Sequence, residues 1–350
     1  MIVMKVKSVY HWLPSLLAPL LLSGCSMIDE DLSDCRSEGK LDYELQLVTN
    51  MTTELQTELG TQTDIGIAGE LREYLSDIFT DFAHDVDLSF YDTQGDSLRL
   101  QHDRHIMDAN QASYSLNLPM DKYMHLAVAN IVDDPLISLV QDERCHTSRL
   151  QQLDRDTIDS HNTGLFTARQ PMEVLGNVNQ NFNVHLFMAN CAAALVIDPK
   201  EHPTDNIQVF SKGFATGFNI CDSTFQYAAK DPVVRTTRLK RPSEDKRMAF
   251  CSVSFPSRQE AATRSIIETT EPFVSKNGDK VLWEFAVYVQ EDDGTITRTV
   301  LGLTEPLLPG ELIIITGWIG QKGEILTDRQ DVAISITTNW EKGMQSDIPL

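Results

Sequence analysis

The sequence predicts a mainly β protein built from two tandem Ig-like β-sandwich domains, with one helix inserted in the first. Residues 41–47 alternate apolar and polar side chains without a break, which is typical of a half-buried strand. Between Ala68 and Ala83 the apolar residues recur at helical spacing instead. After residue 190 short apolar or alternating segments predict strands, and none has the period of a helix. The predicted strands cover residues 192–197, 207–210, 248–255, 281–289, 295–301, 311–318 and 332–337. Asp292-Asp293-Gly294 predicts a hairpin turn between two of them, and the residues expected in a second core are Trp283, Phe285, Ile313 and Trp318. One helix among many short strands indicates a sandwich architecture.

Length and composition set the outer limits of this interpretation. The chain has 350 residues, of which 41% are apolar, so it can build more than one hydrophobic core. We expect a first domain over residues 41–180 and a second over residues 181–350. The formal net charge is −22. Such an acidic chain argues against nucleic-acid binding, because that needs Lys and Arg to neutralise phosphates.

The first 24 residues have the features of a bacterial signal peptide. Lys5 and Lys7 precede a short apolar stretch over residues 12–22. That stretch is roughly half the length of a helix that spans a bilayer, but it suits the apolar region of a signal peptide. No later segment is long and apolar enough to span a bilayer, so we expect the rest of the chain to be tethered rather than embedded.

A four-residue motif ends this segment and predicts a lipoprotein. The motif matches the bacterial lipobox at every position: Leu22, Ser23, Gly24 and Cys25. We expect cleavage between Gly24 and Cys25, and attachment of diacylglycerol and palmitate-type acyl chains at Cys25. Two or more acyl chains anchor a protein stably, whereas one gives marginal binding. The alternative is an ordinary secretory signal followed by a chance cysteine.

Residues 25–40 form an acidic linker next to the predicted lipid. Asp29, Glu30, Asp31 and Asp34 lie within it. The linker has two interpretations, a solvated spacer or a surface-export signal of the kind found in lipoproteins of the Bacteroidetes. The sequence of the linker does not distinguish between these two interpretations.

Five cysteines remain besides Cys25. They are Cys35, Cys145, Cys191, Cys221 and Cys251. Export would place them in an oxidising compartment, where disulfides form. Their odd number and wide spacing leave the connectivity open. Cys191 and Cys251 lie in apolar runs and are expected to be core residues.

The search for catalytic and metal-binding motifs gives no candidate, so we predict a non-catalytic protein without metal or cofactor. GxSxG and HExxH are absent, and no glycine-rich loop precedes a helix. The nearest constellation is His102-Asp103-Arg104-His105 with Asp108, which we expect on a loop; metal binding there is the minor alternative. Asn50-Met51-Thr52 fits a glycosylation sequon by chance.

Two further segments have open interpretations. Residues 131–180 are polar and give few strong indications of regular structure. The segment from Arg235 to Arg247 carries six basic residues. We expect it to be a solvated loop; the alternatives are a contact for an acidic subunit and a protease-accessible hinge.

The start of the predicted mature chain resembles a known family. The stretch from Cys25 to Cys35, with Glu30-Asp31-Leu32-Ser33-Asp34-Cys35 as its most specific part, is similar to the FimB-like fimbrium anchoring subunits of the Bacteroidales. Three further segments follow the family's order: a first strand over Leu41–Val48, an apolar strand with a turn over residues 86–95, and a strand pair over Phe182–Ile197 that opens its second domain.

The resemblance implies two transthyretin-like sandwiches and a role in a fimbrium. It implies a lipid-anchored, non-catalytic subunit that attaches a pilus to the outer membrane at the cell surface, with fimbrillins as partners and a part in assembly and length control. A partner-binding element at residues 341–350 is one expectation, with a frayed end as the alternative. Arg36 should resist the arginine-directed maturation protease. The competing functions are a surface lipoprotein that binds glycan or host protein, and a stalk or tip fimbrillin.

Overall fold

A computed structural model describes residues 38–48, 65–79, 83–93, 98–106, 113–132, 134–176, 180–202, 205–240, 245–259 and 280–337. These residues contain one α-helix, α1 (Ile65–Ile78), a 3-10 turn (Cys145–Thr147) and 22 strands. The first strands are β1 (Glu38–Val48), β2 (Asp85–Asp92), β3 (Arg99–Ile106), β4 (Ser113–Pro119), β5 (Lys122–Ala129), β6 (Ile137–Val140), β7 (Arg149–Gln152), β8 (Thr157–Asp159), β9 (Phe166–Glu173), β10 (Gln180–Met188) and β11 (Cys191–Asp198). The remaining strands are β12 (Ile207–Lys212), β13 (Gly217–Asn219), β14 (Thr224–Gln226), β15 (Val233–Arg235), β16 (Thr237–Arg238), β17 (Met248–Ser254), β18 (Trp283–Gln290), β19 (Ile296–Leu303), β20 (Leu312–Ile319), β21 (Ile325–Leu326) and β22 (Val332–Thr337).

The strands form four sheets. A seven-stranded sheet has the order β3-β2-β5-β9-β10-β1-β4, and a five-stranded sheet has the order β16-β17-β11-β20-β21. A six-stranded sheet has the order β22-β19-β18-β12-β15-β8, and a small sheet has the order β14-β13-β7-β6. The predicted fold class, mainly β with a sandwich-like arrangement and a helix inserted among the strands, is confirmed.

The five-stranded sheet is the middle layer, because both faces of its central strand β11 are buried. Alternate residues from Ala192 to Val196 pack in a cluster with α1 and the seven-stranded sheet. The intervening residues from Cys191 to Ile197 pack in a second cluster with the six-stranded sheet. The seven-stranded and six-stranded sheets therefore lie on opposite sides of the middle layer.

Helix α1 lies inside the first of these clusters. Ile67, Leu71, Leu75 and Ile78 recur at intervals of three or four, so they share one face of the helix, and all four are buried. Tyr74 Oη donates a 3.0 Å hydrogen bond to Thr237 Oγ1 in β16. The helix begins and ends earlier than the prediction of 68–83, at Ile65 and Ile78.

The small four-stranded sheet covers the outer face of the seven-stranded sheet. Leu126 and Val128 of β5 point into a third cluster with Leu150 and Phe218 of the small sheet. Both faces of the seven-stranded sheet are thus covered around β2 and β5, which explains the unbroken burial of β2 from Asp85 to Tyr91.

Most predicted strands after residue 190 are confirmed. The hairpin prediction at residues 292–294 is also confirmed, since Gln290 pairs with Ile296 and Gly294 has the positive φ of 88° that favours glycine. Trp283 and Phe285 are fully buried in the second core, as expected, whereas Trp318 is half-buried.

Residues 131–180 contain four strands, β6 to β9, which the sequence did not indicate, and irregular segments connect them. The strand pair over Phe182–Ile197 is divided between two sheets. Its first strand, β10, pairs in parallel with β1 and belongs to the seven-stranded sheet, while β11 belongs to the middle layer. The domain limit at residue 180 stays a prediction.

None of the helices in the described ranges has the length and apolar character needed to cross a bilayer.

Candidate functional site

The predicted lipidation site lies outside the described residues. This applies to the whole lipobox from Leu22 to Cys25 with the cleavage position after Gly24, and equally to Arg36, to Asn50-Met51-Thr52 and to the segment 341–350. The structure therefore bears on function through the surfaces of the described residues.

Residues 102–105 of the histidine constellation lie on a strand, so the prediction of a loop was wrong for them, while Asp108 lies outside the described residues. Residues 102–105 belong to β3, where they pair with β2. On a strand a spacing of three does not bring two side chains to the same face, as it does on a helix. His102 Nε2 instead lies 2.8 Å from Oδ2 of Asp87, which is fully buried. The ring of His102 therefore pairs with the buried carboxylate of Asp87.

The carboxylate of Asp87 has further partners in the outer core. Gln141 Nε2 donates to Asp87 Oδ1 at 3.3 Å, and Ser89 Oγ donates to the same oxygen at 3.5 Å. A buried carboxyl group requires such hydrogen-bond partners, because its desolvation otherwise costs several kcal/mol. Over the described ranges, no group of three or more His, Cys, Asp or Glu is placed to hold a metal ion.

Two other histidines are enclosed in the core. Burial lowers the pKa of His125 and of His161 to about 4 in each case, so both rings are neutral at pH 7. His125 Nδ1 donates to the Ser89 carbonyl at 3.0 Å, and its ring stacks on Phe90 with centroids 4.3 Å apart. His125 therefore has a structural role in the core.

The basic segment from Arg235 to Arg247 is divided into ion pairs. Arg235 of β15 is directly opposite Asp159 of β8, and its Nη1 lies 2.8 Å from that carboxylate. Arg238 Nη2 lies 3.2 Å from Asp205. Arg247 pairs with Asp245. The segment is also not a continuous loop. Arg235 is the last residue of β15, residues 237–238 form β16, and β17 begins directly after Arg247. Arg235, Arg238 and Arg247 are thus matched by nearby carboxylates, while Arg241 lies outside the described residues.

A polar groove opens beside the small sheet. Its volume is about 340 Å³. The lining comes from the β7–β8 connection, from Thr216 and Gln226, and from residues 228–232. Gln152 N donates to Thr216 O at 2.9 Å, and Lys230 Nζ lies 3.2 Å from Asp156. All four residues line the groove. No aromatic side chain lines the groove.

The exposed edge of the six-stranded sheet is the second candidate surface. Strand β22 pairs with β19 on one side and is the last strand of the sheet among the described residues. Its core-facing row runs from buried Val332 through half-buried Ile334 to Ile336, which is 45% exposed. An edge strand presents N–H and C=O groups to which another strand can add.

Other large apolar side chains are also exposed. Together with Ile336, those in the described ranges are Leu98, Leu100, Met120, Leu153, Leu175 and Phe187. With Phe187 as their one aromatic member, they do not form the aromatic row that a glycan-stacking face would need.

Sequence comparisons give no relative. No family model matches the chain, and no curated protein matches it. Comparisons of structure do find similar chains. One is a candidate adhesin from Bacteroides ovatus, with a TM-score of 0.50 and 12% identity over 88% of this chain and 97% of that one.

Two other solved structures are similar over a comparable length. The fimbrial anchor protein Mfa2 from Porphyromonas gingivalis has a TM-score of 0.47 and 9% identity, over 87% of this chain and 98% of that one. A fimbrial assembly protein from Parabacteroides distasonis has a TM-score of 0.39 and 14% identity, over 85% and 100%. At these identities the comparison concerns the fold alone, and the chain has the fold of the B. ovatus candidate adhesin.

Proposed function

We propose that the chain is a lipid-anchored, non-catalytic subunit that attaches a fimbrium to the outer membrane and takes part in its assembly and length control. The observation that carries the proposal is the layered arrangement of the sheets. Strand β1, which follows the predicted lipid at Cys25, lies in one outer layer, and the open edge at β22 lies in the other. A tether and an assembly edge on opposite layers suit an anchor.

The sequence supports the membrane part of this proposal. The lipobox from Leu22 to Cys25 supplies the attachment point, and the acidic stretch Glu30 to Cys35 resembles the start of FimB-like anchoring subunits. A net charge of −22 disfavours adsorption to an anionic membrane, so lipid would have to provide the attachment. The partners would be fimbrillins, and the protein would be exposed at the cell surface.

The exposed side chain of Ile336 supports the part of the proposal that concerns fimbrial assembly. Addition of a foreign strand to β22 would satisfy the backbone groups of the edge and cover this exposed side chain. The fold shared with a candidate adhesin agrees with a surface role.

The proposal is tested by replacing Cys25 with Ala in cells that make the fimbrium. We expect the fimbriae to move from the outer membrane fraction into the medium, while their shaft subunits are still produced. A Cys251→Ala variant, which leaves the lipobox intact, is the control and should keep its fimbriae. Unchanged membrane retention in Cys25→Ala would refute the anchoring role.

The polar groove favours one second function, the binding of a glycan segment by a surface lipoprotein. Its amide and carboxylate lining supplies hydrogen-bond partners for hydroxyl groups. A glycan array probed with the purified chain and with Gln226→Ala discriminates the two functions. Binding that disappears in the variant would favour the second function.

A further inference from the structure

Two cysteines meet at one end of the small sheet. Cys145 begins the 3-10 turn that precedes β7, and Cys221 comes directly after the end of the β13 region. Strands β7 and β13 are antiparallel, with Asn219 opposite Arg149. The pairing continues beyond the ladder, because Ile220 N donates to Ser148 O at 3.0 Å. The backbone therefore brings both cysteines to the same place.

Both side chains belong to the third apolar cluster. Cys145 is buried there, and Cys221 packs against the same cluster while remaining half-buried. Burial, followed by a hydrogen bond between the two cysteine side chains, raises the pKa of the Cys145 thiol to about 12. Both residues are thiols in the structure.

The other two cysteines of the described ranges lack this relationship. Cys191 in β11 pairs with Ser254, and Cys251 in β17 pairs with Ala194, so the two are offset along neighbouring strands. They also point to opposite faces of the middle sheet, since Cys191 belongs to the second cluster and Cys251 to the first. Opposite side-chain directions prevent a disulfide without backbone movement.

We propose that Cys145 and Cys221 form a disulfide in the exported protein, with a disulfide-bearing oxidant as the electron acceptor. The half-buried Cys221 loses its proton and attacks one sulfur of the oxidant, which releases one thiolate and leaves a mixed disulfide. Cys145 then gives up its proton and attacks the sulfur of Cys221, which releases the second thiolate. Two cysteine thiols are oxidised, and one disulfide of the oxidant is reduced to two thiols.

The bond would fasten one end of the small sheet. It would join the 3-10 turn at Cys145 to the chain leaving β13, two segments separated by more than 70 residues of sequence. A cross-link that closes a long loop stabilises the fold chiefly by restricting the unfolded chain. The small sheet also forms one side of the polar groove, so the bond would rigidify that wall.

The test uses the mature chain, purified reduced and then incubated with oxidised glutathione. Peptide mapping without reduction should find the Cys145 peptide linked to the Cys221 peptide, and the Tm should rise by several degrees over that of the reduced chain. The rise should be absent in Cys221→Ser and present in Cys251→Ala, the matched control. Linkage of Cys145 to another cysteine, or alkylation of both thiols after oxidation, would overturn the proposal.

A second arm uses native protein isolated from cells with thiols blocked at lysis. We expect the same linked pair of peptides. Free thiols at both positions in the native protein would contradict a disulfide in the exported chain, even if oxidation succeeds in vitro. The outcome does not depend on whether the chain serves a fimbrium.

Discussion

Tyr91 and Ser148 share a buried hydrogen bond of 2.7 Å between their hydroxyl oxygens, and this bond joins the seven-stranded sheet to the small sheet beside it. We expect Tyr91→Phe and Ser148→Ala each to lower the free energy of unfolding by about 1–3 kcal/mol, because each leaves a buried hydroxyl without this partner. Urea unfolding of both single variants and the double variant gives the coupling between them. A coupling near 1 kcal/mol is expected, and simple additivity would contradict it.

Leu75 tests the core that α1 shares with two sheets. Its side chain is completely buried in the cluster formed by the helix, the seven-stranded sheet and the middle layer. We expect Leu75→Ala to cost about 3 kcal/mol, from lost apolar burial and from the cavity that remains. Ser76→Ala, at the exposed next position, is the control and should change stability by less than about 0.5 kcal/mol. Equal effects of the two substitutions would argue against this packing.

Glu284 should make the stability of the protein depend on pH. Burial raises the pKa of this carboxyl from 4.5 to about 7, against the opposing charges of Lys212 and Arg298. Between these values the folded chain binds more protons at this site than the unfolded chain, so its contribution to stability falls as the pH rises. Below about pH 4.5 both states are protonated and the loss disappears.

The variant Glu284→Gln removes this titration. Above pH 8 we expect it to be more stable than the parent by up to about 3 kcal/mol, with the difference vanishing near pH 4. Urea unfolding at pH 4, 6 and 8 measures the effect. Glu143→Gln, at an exposed position, should leave the pH profile unchanged. An identical profile for parent and Glu284→Gln would show that the buried carboxyl does not titrate in this range.

Ile336→Lys tests the edge strand as the assembly surface. A lysine on an edge strand opposes the addition of another strand. Because Ile336 is 45% exposed, its replacement removes little packing. We expect fewer subunits in the isolated fimbriae and an unchanged Tm of the purified chain. Leu175→Lys, at an exposed leucine outside β22 and outside the groove lining, is the matched control. Normal fimbriae in Ile336→Lys would exclude the edge.

The local sequence pattern predicts two kinds of strand. One kind buries a single face and therefore alternates apolar and polar residues, and the other kind is apolar along its whole length. The bounds of β22 agree with the prediction because Val332 and Ile334 alternate with smaller or polar residues, and β11 was evident as a continuous apolar run. Strand β9 was missed because Pro171 interrupts its pattern, and β6, β7 and β8 are too short to show a period.

Long-range pairing could not be predicted in the same way. The parallel pairing of β10 with β1 joins segments more than 130 residues apart, and nothing within Gln180–Met188 specifies that partner. The same reason hides the polar groove and the pair of Cys145 and Cys221, because each is assembled from separate parts of the chain. The lipobox is different, since four adjacent residues carry the whole motif.

Mass spectrometry of the native N-terminal peptide tests the central claim most directly. The account predicts a mature chain that begins at Cys25 and carries acyl chains on that residue. A native chain with an unmodified thiol at position 25, or with a first residue beyond it such as Ser37, would contradict the lipid anchor and the fimbrial role built on it.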